Sequence, residues 1–163
     1  MRFKQSFALA VVVLAVASLG MLWTGPSTAQ AQASKGERID VLSTKNFKAT
    51  VDSLTAALKK EGMMVVATID HQNMLKMVGA SIKGSKTIEF GKPDMGKMLL
   101  PMAPEVGLEM PGKFYVWEAS DGSTHVSYRK VAPLFASYGN EKIAEAGMMM
   151  DMMAEKLIDA ATK

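Results

Sequence analysis

Lys113 to Val131 read KFYVWEASDGSTHVSYRKV, two β-rich arms around Asp121-Gly122. Glycine accepts a positive φ without steric cost and aspartate tolerates one, so this dipeptide predicts an antiparallel hairpin with a two-residue turn. The turn sets a register. With Ser120 opposite Ser123, Trp117 faces Val126 and Tyr115 faces Tyr128, an aromatic and apolar face that belongs in a core. The other face pairs Glu118 with His125, Val116 with Ser127 and Phe114 with Arg129, and its mixed character predicts a wet or functional surface. This hairpin thus decides which side chains other elements must cover.

Several elements on either side can do so. Ile39 and Val41 form a short strand, and Asn46 offers its side-chain oxygen to cap a helix in which Phe47, Val51, Leu54 and Leu58 share one narrow arc. Gly62 suits the left-handed position that ends such a helix. Met64 to Ile69 is rich in β-branched residues and predicts a strand with Val65, Ala67 and Ile69 on one face and His71 following in phase. Gln72 to Val78 predicts a short helix with Leu75 and Val78 inward, closed by Gly79. Thr87 to Phe90 is a third short strand, broken at Gly91-Lys92-Pro93-Asp94, and Met95, Met98, Leu99 and Met102 make a helical stripe before Pro104. After the hairpin, Asn140 caps a long helix to about Ala161 whose stripe is Ile143, Gly147, Met150, Ala154, Leu157 and Ala161.

The N-terminal end is of a different kind. Arg2 and Lys4 precede an apolar run from Phe7 to Trp23, followed by Gly25-Pro26 and the small residues Ala31-Gln32-Ala33. This pattern predicts an export signal over residues 1–33, cleaved after Ala33 or, as second choice, Ala31, and hence a periplasmic or secreted protein. The alternative is a retained membrane anchor, because a run of about 17 residues is at the lower edge of what spans a bilayer. Residues 34–37 are small and polar and predict a flexible leader, leaving 38–163 as a single domain.

Composition removes several function classes. The 163 residues carry 19 Lys and Arg against 16 Asp and Glu; the signal holds two of the basic residues and no acid, so the mature chain is 17 minus 16, or +1. Without a basic excess or a recognisable motif, nucleic acid is a poor partner. The absence of cysteine excludes disulfides, thiolate metal sites and a cysteine nucleophile. Ser, His and Asp occur, but no Gly-x-Ser-x-Gly elbow and no phosphate-cradling glycine loop does. Methionine is abundant, with 15 in all.

Four groups of residues are the candidates for chemistry. Asp70 and His71 end a strand, where Asp70 suits a helix cap and His71 either bonds backbone or lines a pocket; as strand neighbours they point to opposite sides and form no dyad. An apolar groove is expected near Phe90, Gly91 and Pro93, with Asp70 and His71 at its mouth and a small apolar ligand as partner. Glu118 opposite His125 reads as a cross-strand ion pair, or as a carboxylate orienting a metal-ligating imidazole. Met148, Met149, Met152 and Met153 lie on the last helix, with Met148 and Met152 among Glu141, Glu145, Glu155 and Asp159. Their i,i+4 spacing suits either packing in a homodimer through that helix or, because soft thioethers select it, Cu(I). No other cofactor is expected.

Ile69-Asp70-His71, Phe90-Gly91-Lys92-Pro93, Leu108-Glu109-Met110-Pro111 and Asp121-Gly122 through Val126-Ser127-Tyr128, in this order, resemble domain-of-unknown-function family 302. The resemblance covers nearly the whole mature chain. It implies a compact α+β domain with a mostly antiparallel curved sheet and helices on one face, similar to a single half of the fold of TATA-binding protein. It supplies no reaction. The chain departs from the family after the Phe-Gly-x-Pro turn, where Gly96-Lys97-Met98-Leu99-Leu100 replaces the usual Gly-Thr ahead of Leu-Met, and in the methionine run of the last helix. From these observations the chain is expected to be an exported, non-catalytic binding or structural module, with a Cu(I)-binding protein as the alternative.

Overall fold

The computed structural model describes residues 37–163; the expected export signal and both expected cleavage positions lie outside the described residues. Five strands, β1 (Arg38–Ser43), β2 (Met64–Asp70), β3 (Ser85–Gly91), β4 (Gly112–Glu118) and β5 (Thr124–Arg129), form one sheet in the order β1-β5-β4-β3-β2. Every neighbouring pair is antiparallel. Counting through the sheet, β1 and β2 run the same way at opposite edges. The helix between them, α1 (Phe47–Lys60), therefore carries the chain across the full width of the sheet.

Local chemistry fixes α1. Asn46 Oδ1 accepts the Ala49 N–H at 2.9 Å, and Gly62, at φ +71°, takes the left-handed position after the last turn. The final helix, α5 (Glu141–Thr162), starts on Asn140 in the same way. Leu54 and Leu58 of α1 pack with Leu157, Ile158 and Ala161 of α5 over Ile88, Phe114, Val116, Val126 and Tyr128, so the main core lies on one face of the sheet. A second apolar cluster gathers Leu99, Val106, Phe135, Ile143 and Ala146 from α3 (Pro93–Leu99), a 3-10 helix (Pro104–Glu109), α4 (Ala132–Ala136) and the start of α5. Gly147 makes that cluster possible. A Cβ there would fall 2.6 Å from Phe135 Cβ and 3.0 Å from Ala132 Cα, closer than atoms pack. Asp151, buried in the middle of the methionine run, accepts the N–H groups of Val131 at 2.8 Å and Ala132 at 3.1 Å and so closes the start of α4 from α5.

Three expectations are corrected. The hairpin loop has three residues, since Ala119 N–H bonds Ser123 O and Gly122 N–H bonds Ala119 O. This loop needs a positive φ only at Gly122 (+86°), whereas a two-residue turn of the expected type would also need one at Asp121, and no described non-glycine residue has it. The register is thereby one residue from the expected one: Tyr115 faces Ser127, Val116 faces Val126, Trp117 faces His125 and Glu118 faces Thr124. Phe114 and Val116 take the core and Tyr115 and Trp117 the open face, because a one-residue slip exchanges the faces of a strand. In β2, a bulge between Val65 and Ala67 divides the expected common face: Val65 pairs with Phe90 on the core side, whereas Ala67 and Ile69 pair with Glu89 and Thr87 on the open side. Finally, α2 (His71–Met77) buries none of its residues, and Leu75 and Val78, expected inward, are exposed.

Candidate functional site

An apolar groove of about 400 Å³ opens where β2 begins, β3 ends and α3 starts. Phe90, Gly91 and Pro93 line it, together with methionines from four parts of the chain: Met63 and Met64, Met95, Met110, and Met150 and Met153 of α5. Phe90 lies against the core, stacked on Phe114 with ring centroids 4.6 Å apart. It has room there because its partner across the sheet is Gly112, where a Cβ would meet the Phe90 ring at 2.9 Å. Unbranched thioether side chains give such a groove an adaptable wall. Tyr128 also lines it, and the Tyr128 hydroxyl is buried without a hydrogen-bond partner among the described residues. Burial, reinforced by the Glu155 and Asp151 carboxylates, pushes this phenol up to about 12.

Asp70 and His71 are not at the mouth of the groove. They stand at the far end of β2, where the strand passes into α2. Asp70 is the cap of α2: it accepts the Asn73 N–H at 2.9 Å and pairs with Lys86 at 3.2 Å. The Asn73 N–H, opposed by partial burial and helped by Lys86, holds the Asp70 carboxyl below the usual carboxylate value. His71 Nε2 bonds the Thr87 hydroxyl at 2.8 Å, not backbone, and its ring meets Tyr115 edge-on at 5.9 Å.

Glu118 and His125 do not face each other either. Glu118 accepts the Gly84 N–H at 3.1 Å, which ties the hairpin to the start of β3. His125 lies on the open face of the sheet, stacked on Trp117 at 4.4 Å. Trp117 Nε1–H donates to Ser127 Oγ at 2.9 Å and Ser127 donates to Asp40 at 2.9 Å, while Asp40 stands 3.7 Å from His125 Nδ1. The other imidazole nitrogen lies 3.1 Å from Ser123 Oγ. Asp40, His125 and Ser123 thus have the connectivity of a nucleophilic triad without its geometry. The aspartate is beyond hydrogen-bond distance, and the Ser123 hydroxyl donates to Asp121 at 2.6 Å, so its proton is directed away from the histidine. These bonds build a rigid polar surface, and nothing in the sequence announced Asp40 as its centre. A more open cleft of about 590 Å³ beside it is walled by Tyr115, Trp117, Arg38 and the segment from Leu108 to Pro111.

On α5, Met148, Met149 and Met152 are each more than half exposed, while Met150 and Met153 turn inward to the two apolar clusters. Among the described residues, no three His, Asp or Glu side chains come together to hold a metal ion, and no helix is long and apolar enough to cross a membrane.

Comparison with known proteins supports the fold. A solved structure, an uncharacterized conserved DUF302 protein from Bacillus stearothermophilus, superposes with a TM-score of 0.70 over 77% of this chain and 98% of that one, at 19% identity. Among curated proteins, fluoride-specific ion channel FluC 1 of Brucella suis biovar 1 (strain 1330) is 29% identical over 84 residues, which are 52% of this chain and 33% of the channel. FluC 2 of Brucella melitensis biotype 1 matches at 29% over 84 residues, 31% of its length. The chain thus spans about a third of the curated relatives it matches. The family described as domain of unknown function DUF302 matches residues 39–162, nearly all of the described fold, and the chain belongs to that family.

Proposed function

We propose that this protein is an exported, non-catalytic binding module that takes a small apolar ligand in the methionine-lined groove beside Phe90 and Pro93. The observation that carries this reading is the groove itself. It is concave, of a size that suits a small molecule, and its open wall is mostly apolar, with the charged residues Lys92, Lys113, Arg129 and Asp151 also among its lining. Support for a non-catalytic role comes from the two histidines, each engaged with a hydroxyl or a ring and neither lining the groove. Titration of the full chain with Nile red, a neutral apolar fluorophore, tests the reading. Met64→Asp with Val66→Asp places two charges on an exposed edge of the groove and is expected to weaken binding at least about tenfold with the melting temperature unchanged. Equal binding by the two proteins would contradict the reading. Turnover of a small-molecule panel that is lost in His71 or Asp70 variants would contradict its non-catalytic part.

The exposed thioethers Met148, Met149 and Met152 favour a second reading, in which Met148, Met149, Met152 and Met153 hold Cu(I) as i,i+4 pairs, with Met153 turning outward from its inward position to do so. Replacing all four by leucine removes the sulfurs and keeps most of the apolar surface. A competition titration of Cu(I) against a chelator should then show the loss of a site. If instead both proteins sediment as the same dimer and bind copper equally, the helix is a contact between copies and the copper reading fails.

A further inference from the structure

At the end of the sheet opposite the groove, twelve consecutive residues, 72–83, are exposed to solvent. They include Met74, Leu75, Met77, Val78 and Ile82, and the two at the tip, Met77 and Val78, are 73% and 77% exposed. The segment is held in shape. Asp70 caps α2, Gly79 turns the chain at φ +80°, Ala80 N–H bonds Leu75 O, and Gln72 Nε2 donates to Ile82 O at 3.0 Å. It is an ordered projection whose apolar side chains find no cover among the described residues.

Its charge says what would cover it. From His71 to Ile88 there are three lysines, Lys76, Lys83 and Lys86, and no aspartate or glutamate. Lys86 is neutralised by Asp70, whereas Lys76 and Lys83 are exposed on either side of the apolar tip. A contact between two copies of this same patch would set lysines against lysines, so a symmetric dimer through it is disfavoured. No residue of 72–83 lines either of the two cavities described above. Exposed apolar side chains flanked by lysines match an anionic bilayer, in which the tip enters the interface and the ammonium groups stay among the headgroups.

We propose that α2 and the turn to Ile82 form an interfacial membrane-contact element that seats Met77 and Val78 among anionic lipids. Since the chain has no cysteine, a single label reports on the site even if another segment binds lipid. Full-length Val78→Cys, carrying an environment-sensitive fluorophore, is mixed with vesicles of phosphatidylglycerol and phosphatidylcholine containing nitroxide-labelled lipid. Leu108→Cys, at an equally open position near the other end of the sheet, is the control. The expected result is blue-shifted, quenched emission at position 78 and unchanged emission at 108. Lys76→Gln with Lys83→Gln, or vesicles of phosphatidylcholine alone, should weaken the response at 78 by roughly thirtyfold, the worth of two lysines near an anionic surface. A label at 78 that stays in water on every vesicle overturns the proposal and leaves the projection to an acidic protein partner. So does a label that becomes buried without lipid as protein concentration rises, which would make the projection a contact between copies.

Discussion

The two ends of the sheet both expose methionine, and they do so in opposite ways. At the groove, thioethers from β2, α3, the segment before β4 and α5 converge on a concavity backed by stacked Phe90 and Phe114, so the apolar surface there is a product of the fold. At α2, Met74 and Met77 stand on a projection that meets the sheet through His71 and buries none of its residues. A concave apolar surface excludes water around a small ligand on several sides, whereas a projecting one can be covered only by something larger than itself. Methionine count alone does not distinguish these cases. Shape and the charge around it do.

The sharpest contrast should be in stability. Phe114→Ala removes a fully buried ring from behind the groove and should cost about 3 to 5 kcal/mol, whereas Met77→Ser with Val78→Ser should shift stability by no more than about 0.5 kcal/mol per residue; urea unfolding measures both. A large loss from the α2 pair would mean that the projection is covered after all. Gly147→Ala is the next test, because the added methyl must displace Phe135 or Ala132. Overpacking of this kind should cost about 1 to 3 kcal/mol and loosen the groove wall at Met150, with α2 unaffected in hydrogen exchange.

Tyr128 gives the groove end a signature in alkali. Its phenol is raised from 10.0 to about 12 in the fold, so between those values the unfolded chain releases a proton that the folded chain keeps. Stability is therefore complete below about pH 10 and falls as pH rises toward 12, by at most about 3 kcal/mol. Tyr128→Phe should flatten that limb without loss at neutral pH, since the hydroxyl has no described partner to forfeit. Asp70 gives the α2 end the smaller, acidic counterpart. Its carboxyl is lowered below 3.8, so its contribution is present above about pH 4 and is lost as pH falls through the folded value. Asp70→Ala should cost about 1 kcal/mol as a missing cap, and Asp70→Asn, which can still cap, should recover most of it.

How legible each region was in the sequence follows from the range of the forces that build it. Caps and breakers act over three or four residues, which is why Asn46, Asn140, Asp70 and Gly62 were readable and the positions of α1 and α5 with them. The hairpin register differs by one residue from the expected one because Asp-Gly fits two loops, and the choice turns on whether Asp121 takes a positive φ when its carboxylate can instead accept the Ser123 N–H at 2.9 Å and hydroxyl. That single residue moved Tyr115 and Trp117 from the core to the open face and dissolved the expected Glu118 to His125 pair. Asp40 pairs locally with Arg38, but its partner Ser127 lies 87 positions away and those of Asp151 about 20, beyond the reach of any local pattern. The exposure of α2 was hidden for a related reason: Leu75 and Val78 look inward-facing in any helix that has something to pack on.

Methionine methyl resonances test the central distinction most directly, because both ends carry them. In protein labelled at the methionine methyl carbon, saturation with a small neutral apolar ligand should shift Met63, Met64, Met95, Met110, Met150 and Met153 and leave Met74 and Met77 in place. Shifts confined to Met74, Met77 or Met148, or spread evenly over all methionines, would contradict the assignment of the groove as the ligand site.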